Sequence, residues 1–362
     1  MAYTTIDDPE AHFQVVAYTG DGQENRDVTL PGTTDLPVDF VWIKNRDAGN
    51  HGSAFYDKLR GVYRRMEPYS QNAESNKTSG VQAFNSDGFD HGNIGAGNSN
   101  GVKYVAFCWK ANGNASSDTN GTINSTATSA NTTAGFSIVT YTGNGTNNAT
   151  VGHGLGKSIS WMLLKNRDDS ENWWNYHAGL SDPSSKAILL NSTNAEFTPG
   201  TSAFYPTNFS TSLFSMKNDN ASNSSGDDYV AWCWSEIKGF SKFGKYTGNG
   251  SSDGPFIYTG FKPAWLMIKN SERANTSWTI YDNKRPGYNS DNAYILAEQQ
   301  DSELSDKDID LLSNGFRSLL SNNAVNTSGD KYIYMAFAES PFVNSNGAVS
   351  YTHLTLPTSN GV

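Results

Sequence analysis

Cysteine and long apolar runs are both scarce in this chain of 362 residues. The two cysteines, Cys108 and Cys233, occupy equivalent positions in two repeats, so a disulfide would require two equivalent strand faces to meet. We therefore interpret both as small buried side chains. No apolar run approaches the roughly 18 residues that span a bilayer, so we expect no membrane insertion. The first residues lack the apolar core of a secretion signal, which favours a soluble protein made in a cytoplasm.

Charged residues are also few, at 17%, and acidic residues outnumber basic ones by 36 to 26, which gives a net charge of −10. The basic residues form no stripe that would neutralise phosphates, so nucleic acid is not an expected partner. The acidic excess mainly favours solubility.

The usual catalytic patterns are absent. There is no Gly-x-Ser-x-Gly elbow, Walker loop or dinucleotide fingerprint, and the six histidines lack metal-ligand spacing. Asp57 and Asp282 occupy equivalent positions, but His177 stands there in the second repeat, so no carboxylate pair suited to glycoside hydrolysis recurs. We predict no catalytic residue, no metal site and no cofactor, and we expect a protein that is not an enzyme.

The chain does contain an internal repeat, in which four landmarks occur three times in the same order. The first is a Tyr-Thr-Gly turn, at residues 18–20, 141–143 and 246–248. An apolar run follows, which starts at an aromatic residue and ends in Lys-Asn, and after it comes a shared tyrosine. The last is a strand that starts with tyrosine, for which we align residues 104–109, 229–234 and 334–339. This agreement predicts three related modules.

The composition favours strands over helices. Asn, Ser, Thr and Gly are abundant and have low helix propensity, while aromatic residues reach 12% and supply much of the apolar area. Each module yields about six or seven short strands, which predicts an all-β fold of tandem antiparallel β-sandwich or jelly-roll (concanavalin-like) modules. The one short helix that we expect is at residues 308–320.

The boundaries follow the landmarks and the polar segments between them. We assign a polar leader, a first module, an Asn/Ser/Thr-rich linker with one weak strand around Ile123, a second module and a third module, at residues 1–12, 13–111, 112–134, 135–237 and 238–344. Residues 349–358 are similar to the translation of a transposon-type sequencing-library adapter, and we expect them not to be protein-coding.

The turns after the apolar runs are the first candidate binding site. They contain Lys44, Asn45 and Arg46 in module one, Lys165, Asn166 and Arg167 in module two, and a divergent copy at Lys269 and Asn270. One interpretation is a polar cluster that contacts sugar hydroxyls or a neighbouring subunit. The other is that the Asn caps a turn while the Lys leaves the sheet edge for water.

Aromatic strands are the second candidate site. Core packing is the expected position of most rings on these strands, and Trp173, Trp174 and Trp278 are the ones that we single out as candidates for exposure, as a stacking platform for a sugar. Trp173 and Trp174 are adjacent, so in a strand they lie on opposite faces, and one of them needs a second layer or is exposed. Trp161 and Trp265, which are equivalent to Phe40, are expected to be core anchors.

Several long phrases carry a resemblance over nearly the whole chain, including MAYTTIDDP, YTGNG, VGHGLG, KNRD and GDKYIYMAFAESPF. They resemble an uncharacterised repeat module of marine tailed-phage proteins, from metagenomic sequence. The resemblance implies a virion structural protein, such as a tail, fibre or decoration component, with lectin-like β-sandwich modules, and it implies no catalytic residues.

These observations lead to three hypotheses for function. The first is a virion structural protein that is assembled in the host cytoplasm, contacts other virion proteins, forms an oligomer and can contribute to host attachment. The second is a carbohydrate-binding receptor-binding protein that recognises host-surface glycans. The third is a surface-glycan depolymerase, which requires a carboxylate pair that the sequence does not single out.

Overall fold

The computed structural model describes residues 4–47, 52–200, 209–285, 289, 292–306 and 309–341. The described residues are almost entirely in antiparallel strands and connecting turns, so the predicted all-β fold of sandwich modules is confirmed. The finer jelly-roll topology stays a prediction. Residues 349–358, which we compared with an adapter translation, lie outside the described residues.

The strands of module one follow a 3-10 turn at Pro9–Ala11. They are β1 (Phe13–Thr19), β2 (Arg26–Thr29), β3 (Phe40–Asn45), β4 (Ser53–Asp57), β5 (Arg64–Arg65), β6 (Ser75–Asn76), β7 (Val81–Asn85), β8 (Gly88–His91) and β9 (Lys103–Trp109).

The strands of module two are β10 (Ala127–Asn131), β11 (Phe136–Thr142), β12 (Ala149–Gly152), β13 (Trp161–Asn166), β14 (Trp174–His177), β15 (Ile188–Leu189), β16 (Leu213–Met216) and β17 (Asp228–Trp234). Those of module three are β18 (Ser241–Thr247), β19 (Phe256–Tyr258), β20 (Phe261–Asn270), β21 (Thr279–Asp282), β22 (Ile295–Leu296), β23 (Ile309–Leu312), β24 (Gly315–Ser318) and β25 (Lys331–Pro341).

Each module contains a main sheet with the same arrangement of four strands. The orders are β1-β9-β3-β4, β11-β17-β13-β14 and β18-β25-β20-β21, to which β10, β15 and β22 are added at the edges. A smaller outer sheet accompanies each main sheet, with the orders β2-β8-β7, β12-β16 and β19-β24-β23. The strand that ends in Lys-Asn is therefore paired on both sides in every module.

The main sheets are covered on both faces. In β3, Val41 and Ile43 point toward the outer sheet and pack with Val28 and Phe89, and Phe40 on the alternate face belongs to a different cluster. All of these side chains are buried. This arrangement accounts for the continuous apolar run from residue 40 to 43, because a strand needs apolar residues at every position when both of its faces are covered.

The inner faces of the three main sheets meet in one central core. Aromatic rings from different modules are in direct contact there: Phe40 lies 5.5 Å from Trp232, Trp109 lies 5.9 Å from Trp265, and Trp161 lies 6.3 Å from Trp265, between ring centroids. Phe40, Trp161 and Trp265 are fully buried, which confirms that they are core anchors. The modules thus share a core and are not separate beads.

The last landmark of module three lies in a different register from the one that we aligned. Asn45 pairs with Tyr104 and Asn166 with Tyr229, but Asn270 pairs with Tyr332 and not with Tyr334. The hydroxyl of each of these paired tyrosines accepts a backbone N–H five residues earlier, from Ser99, Ser224 and Thr327. The alignment on residues 334–339 was wrong by two positions, and the residue equivalent to Cys108 and Cys233 is Ala336.

Three other expectations differ from the structure. The segment at residues 308–320, expected to be helical, forms the β23–β24 hairpin over its described residues, because Ile309 and Leu311 alternate inward and Ser313 and Asn314 make the turn. The segment at 112–134 is more than a linker, since it contributes β10, while the weak strand expected around Ile123 is a single bridge to Val151. The described part of the leader packs against the fold.

Candidate functional site

The three Lys-Asn turns all lie where one module meets another. In each turn, the residue after the Asn accepts a backbone hydrogen bond of 2.8 Å from a glutamate of the preceding module, through the pairs Glu74 N to Arg167 O, Glu196 N to Ser271 O and Glu303 N to Arg46 O. Module one therefore contacts module two, module two contacts module three, and module three contacts module one. The contacts close on themselves around the central core.

The asparagines of these turns cap the local backbone. The Oδ1 atoms of Asn45, Asn166 and Asn270 accept hydrogen bonds of 2.8–3.0 Å from the N–H two residues later. The interpretation that the Asn caps a turn is confirmed.

The lysines of these turns do not leave the sheet for water, so that part of the interpretation was wrong. Lys44, Lys165 and Lys269 are all buried, and their ammonium groups donate to backbone carbonyls. Lys44 reaches the carbonyl of Gln299, and Lys269 reaches that of Thr193 at 3.3 Å, so both bind the preceding module. Burial lowers the pKa of each of the three lysines to about 8, because desolvation disfavours the charged form.

Arg46 and Arg167 form forked ion pairs with the same glutamates. Arg46 donates through Nε at 2.8 Å and Nη2 at 3.1 Å to the two carboxylate oxygens of Glu303. Arg167 donates to Glu74 at 3.2 Å and 2.9 Å. Burial alone would raise the pKa of each glutamate, but the arginines around it outweigh burial and hold the pKa below its usual value.

A second, buried arginine completes two of these contacts. Arg60 donates to Asp57 at 2.6 Å and to Glu74 at 2.7 Å. Arg285 donates to Asp282 at 2.5 Å, and to Glu303 at 3.1 Å. The side chains of the equivalent residues Asp57 and Asp282 are therefore fully buried and paired with arginines within the fold.

The contact between modules two and three departs from this pattern. Ser271 stands where the other turns have arginine, and Leu180 stands where the other modules have the buried arginine. His177 replaces the aspartate. Its Nδ1 accepts from the N–H of Gly179 at 2.9 Å, so Nε2 carries the proton and donates to the carbonyl of Tyr334 at 3.1 Å. Burial lowers the pKa of His177 to about 4, so the imidazole is neutral.

A cleft of about 350 Å³ lies between these two modules, and Ser271 is one of its lining residues. Gly179, Ser271, Lys245, Lys331 and Glu272 line it. The Glu272 carboxylate accepts the backbone N–H of Lys331 at 2.9 Å, and the Lys331 ammonium donates to Thr247. The Glu272 carboxylate and the Lys331 ammonium group of this cleft therefore already have partners within the protein.

The structure places all three tryptophans of the second candidate site inside the protein, so the expectation that they are exposed was wrong. Trp173 donates through its indole N–H to the carbonyls of Glu67 and Ser70 in module one, both at 3.0 Å. Trp278 donates likewise to the carbonyl of Leu189 in module two. Trp174 points to the other face and packs against Phe197, 5.7 Å away.

The two candidate sites are thus brought together, at the contacts between modules. Trp173 and Arg167 both bind module one, and Trp278 and Lys269 both bind module two. The neighbour that these residues recognise is another module of the same chain.

The described residues contain no group of three or more His, Cys, Asp or Glu side chains that could hold a metal ion. In the same ranges, no helix is long or apolar enough to cross a membrane.

A family model described as a domain of unknown function (DUF7483) matches residues 8–341. The chain belongs to this family. No curated protein and no solved structure matches the chain. The matched residues include all three modules, so the DUF7483 unit is the closed set of modules and not a single repeat.

One surface of this DUF7483 chain was missed by the sequence analysis. Phe256 and Tyr258, on β19 of the third outer sheet, are the large apolar side chains that are exposed within the described residues. The signal was present in the sequence: the equivalent strands carry Asp27 and Thr29 around Val28 in module one, and Thr150 and Gly152 around Val151 in module two. Aligning the second strand of each module would have shown that the aromatic pair belongs to module three.

Proposed function

We propose that the protein is a structural, non-enzymatic component of a tailed-phage particle, such as a tail, fibre or decoration protein. The observation that carries the proposal is the closure of three modules around one aromatic core. The phrases YTGNG, VGHGLG and KNRD, which resemble a repeat module of tailed-phage proteins, support the same assignment.

The use of the polar residues also supports a structural role. Lys44, Arg46, Arg167, Asp57 and Asp282 carry charged groups of the kind used in chemistry, and each is engaged in a contact within or between modules. A hydrogen bond at each junction, arginine–glutamate ion pairs at two of them and the shared core join the modules into one block. Such a block suits a particle in which many copies multiply weak contacts through effective concentration.

Localisation on particles tests the proposal. A phage that carries this gene would be propagated, purified by density gradient and labelled with an antibody raised against the isolated protein, followed by electron microscopy. We expect label at the tail or on the capsid surface, and loss of label when the antibody is first absorbed with the isolated protein. Unlabelled particles, with the protein recovered only from the soluble lysate, would contradict a virion role.

Host attachment is a separate contribution that the same reagent can address. If the protein contacts the host surface, excess isolated protein should slow adsorption of the phage to its host cells. Unchanged adsorption, together with labelled particles, would leave a structural or decoration role without attachment.

A further inference from the structure

Phe256 and Tyr258 stand out because the other large apolar side chains of the described residues are covered. They are 49% and 51% exposed, whereas Ile257 between them is 7% exposed and points into the sandwich. Alternation along the strand puts both aromatic residues on the outward face of β19, about 7 Å apart. β19 is an edge strand of its sheet, so no strand among the described residues pairs with its outer side.

Polar groups lie in fixed positions next to the two rings. Arg317 on β24 is paired with Phe256, and its guanidinium donates to Asp253 and Asp310, both at 3.0 Å. The Asp253 side chain is 85% exposed, so it keeps the capacity to accept further hydrogen bonds. Gly315, paired with Tyr258, has no side chain that could cover the rings.

The fold does not require aromatic residues at these positions. The equivalent residues are Asp27 and Thr29 in module one, and Thr150 and Gly152 in module two. All three outer sheets nevertheless form the same pairing around a buried central residue. The exposed rings of module three therefore need an explanation other than folding.

Size and charge restrict what can bind here. Two half-exposed rings offer on the order of 200 Å² of apolar area, whereas a stable protein interface buries about 800 Å² on each partner. Phosphate ligands are disfavoured because Asp253 and Asp310 outnumber the single Arg317. The surface suits a small uncharged ligand that has an apolar face and a rim of hydrogen-bonding groups.

We propose that Phe256 and Tyr258 form a stacking platform for the pyranose rings of a neutral glycan, with Asp253 and Arg317 binding its hydroxyl groups. The C–H face of a pyranose carries slightly positive hydrogens, which are attracted to the negative face of an aromatic ring. Charged side chains form strong hydrogen bonds to hydroxyl groups, and the ion pair between Arg317 and Asp253 holds both groups beside the rings. This site does not depend on a virion role for the protein.

A glycan array of neutral and acidic bacterial and algal polysaccharide fragments, probed with the full chain, tests the proposal. The variant Phe256→Ala/Tyr258→Ala is compared with the matched control Asp27→Ala/Thr29→Ala, which alters the equivalent positions of module one. Thermal melts check that both are folded, and because the altered side chains are on the surface we expect both to melt like the unaltered chain.

We expect saturable binding of at least one neutral glycan by the unaltered chain. The single variants Phe256→Ala and Tyr258→Ala should each weaken binding about tenfold, and the double variant should weaken it further. The control should bind as the unaltered chain does. Asp253→Asn should also weaken binding while leaving the stacking rings in place.

Three results would overturn the proposal. The first is that no neutral glycan binds, and the second is that the double alanine variant binds as well as the control. The third is self-association of the unaltered chain, seen by analytical ultracentrifugation and abolished in the double alanine variant, because it would identify the patch as a contact between copies. None of these results bears on the virion labelling.

Discussion

At the scale of single residues, the buried lysines show what the repeat motif contributes to the fold. Lys44, Lys165 and Lys269 take a cationic group into the protein interior, where carbonyl oxygens and not carboxylates receive most of its hydrogen bonds. A buried ammonium without a close carboxylate is destabilising relative to water unless several acceptors surround it. Their depressed pKa values are the measurable consequence.

The lysines should therefore make stability rise with pH above neutrality. The folded pKa of Lys269 is about 8, below the usual value of 10.5. Between these two values the unfolded chain holds more protons than the folded one, so the free energy of unfolding increases as pH rises. Comparing the unaltered chain with Lys269→Met isolates this effect, since tyrosines and cysteines titrate in both.

We expect the stability of the unaltered chain, relative to Lys269→Met, to increase on the order of 1–2 kcal/mol between about pH 7.5 and 9.5. Denaturant unfolding at the two pH values measures the difference. A relative stability that is constant or falls over this range would show that Lys269 keeps an ordinary pKa in the folded protein.

Trp265 provides a second test at the residue scale, because it contacts rings from modules one and two. It lies 5.9 Å from Trp109 and 6.3 Å from Trp161, and it is fully buried. Trp265→Ala should lower the free energy of unfolding by about 3–5 kcal/mol, since a large cavity is left in a packed core. Phe256→Ala, which removes an exposed ring, is the control in the same denaturant melts. A loss below about 1 kcal/mol for Trp265→Ala would contradict its role as an anchor.

At the scale of elements, the Tyr-Thr-Gly turn is the same in all three modules because its glycine lies against a second backbone segment. A Cβ on Gly20, Gly143 or Gly248 would lie 2.1 Å from a backbone carbonyl oxygen, that of Ser99, Ser224 or Thr327 respectively. The same carbonyl-bearing residues donate their N–H to the paired tyrosines. Glycine is thus needed for close approach of two backbone segments.

Gly248→Ala should therefore destabilise the protein by about 1–3 kcal/mol, because the backbone on one side of the contact must move. Gly200→Ala is a suitable control, since a Cβ at Gly200 would meet no atom within 4 Å. Thermal or denaturant melts of both variants measure the effect. Equal stability of the two variants would mean that the backbone segments at Gly248 and Thr327 can separate at no cost in the free energy of unfolding.

How far the sequence predicts the elements depends on which interactions define them. Strands with contacts on both faces leave a local pattern, so the apolar run from Phe40 to Ile43 was recognised. The β23–β24 hairpin was predicted to be a helix because the Asp, Leu and Ser residues around its turn show only a weak local preference for strand. The two-residue shift at Tyr332 was missed because residues 332 to 338 are apolar or aromatic, so either register matches the pattern. Only the pairing with Asn270 fixes it.

At the scale of the whole molecule, the shared core was not predictable from the repeat. An aromatic inner face has the same pattern whether it packs on a second sheet of its own module or on two other modules. For the same reason Trp173, Trp278 and Lys269 looked like parts of a binding site: their partners in the neighbouring module lie 76 to 106 residues away along the chain. These residues were expected to bind a sugar or a neighbouring subunit, and their partners in the structure are other modules of the same chain.

A shared core predicts that the three modules unfold together. The inner face of each main sheet packs into one cluster with the inner faces of the other two, so unfolding one module would expose aromatic rings of all three. Differential scanning calorimetry should therefore show one transition, with calorimetric and van't Hoff enthalpies that agree.

A variant at a junction makes this prediction sharper. Phe55 of module one lies 5.0 Å from Trp173 and 5.5 Å from Trp232, both in module two. Phe55→Ala should remove about 3–5 kcal/mol of stability and shift the single transition to lower temperature without splitting it. If the variant instead shows an early transition of about one third of the total enthalpy, with the remainder unmoved, then module one unfolds alone. In that case the contacts that link Arg46, Arg167 and their glutamates would join three independent bodies.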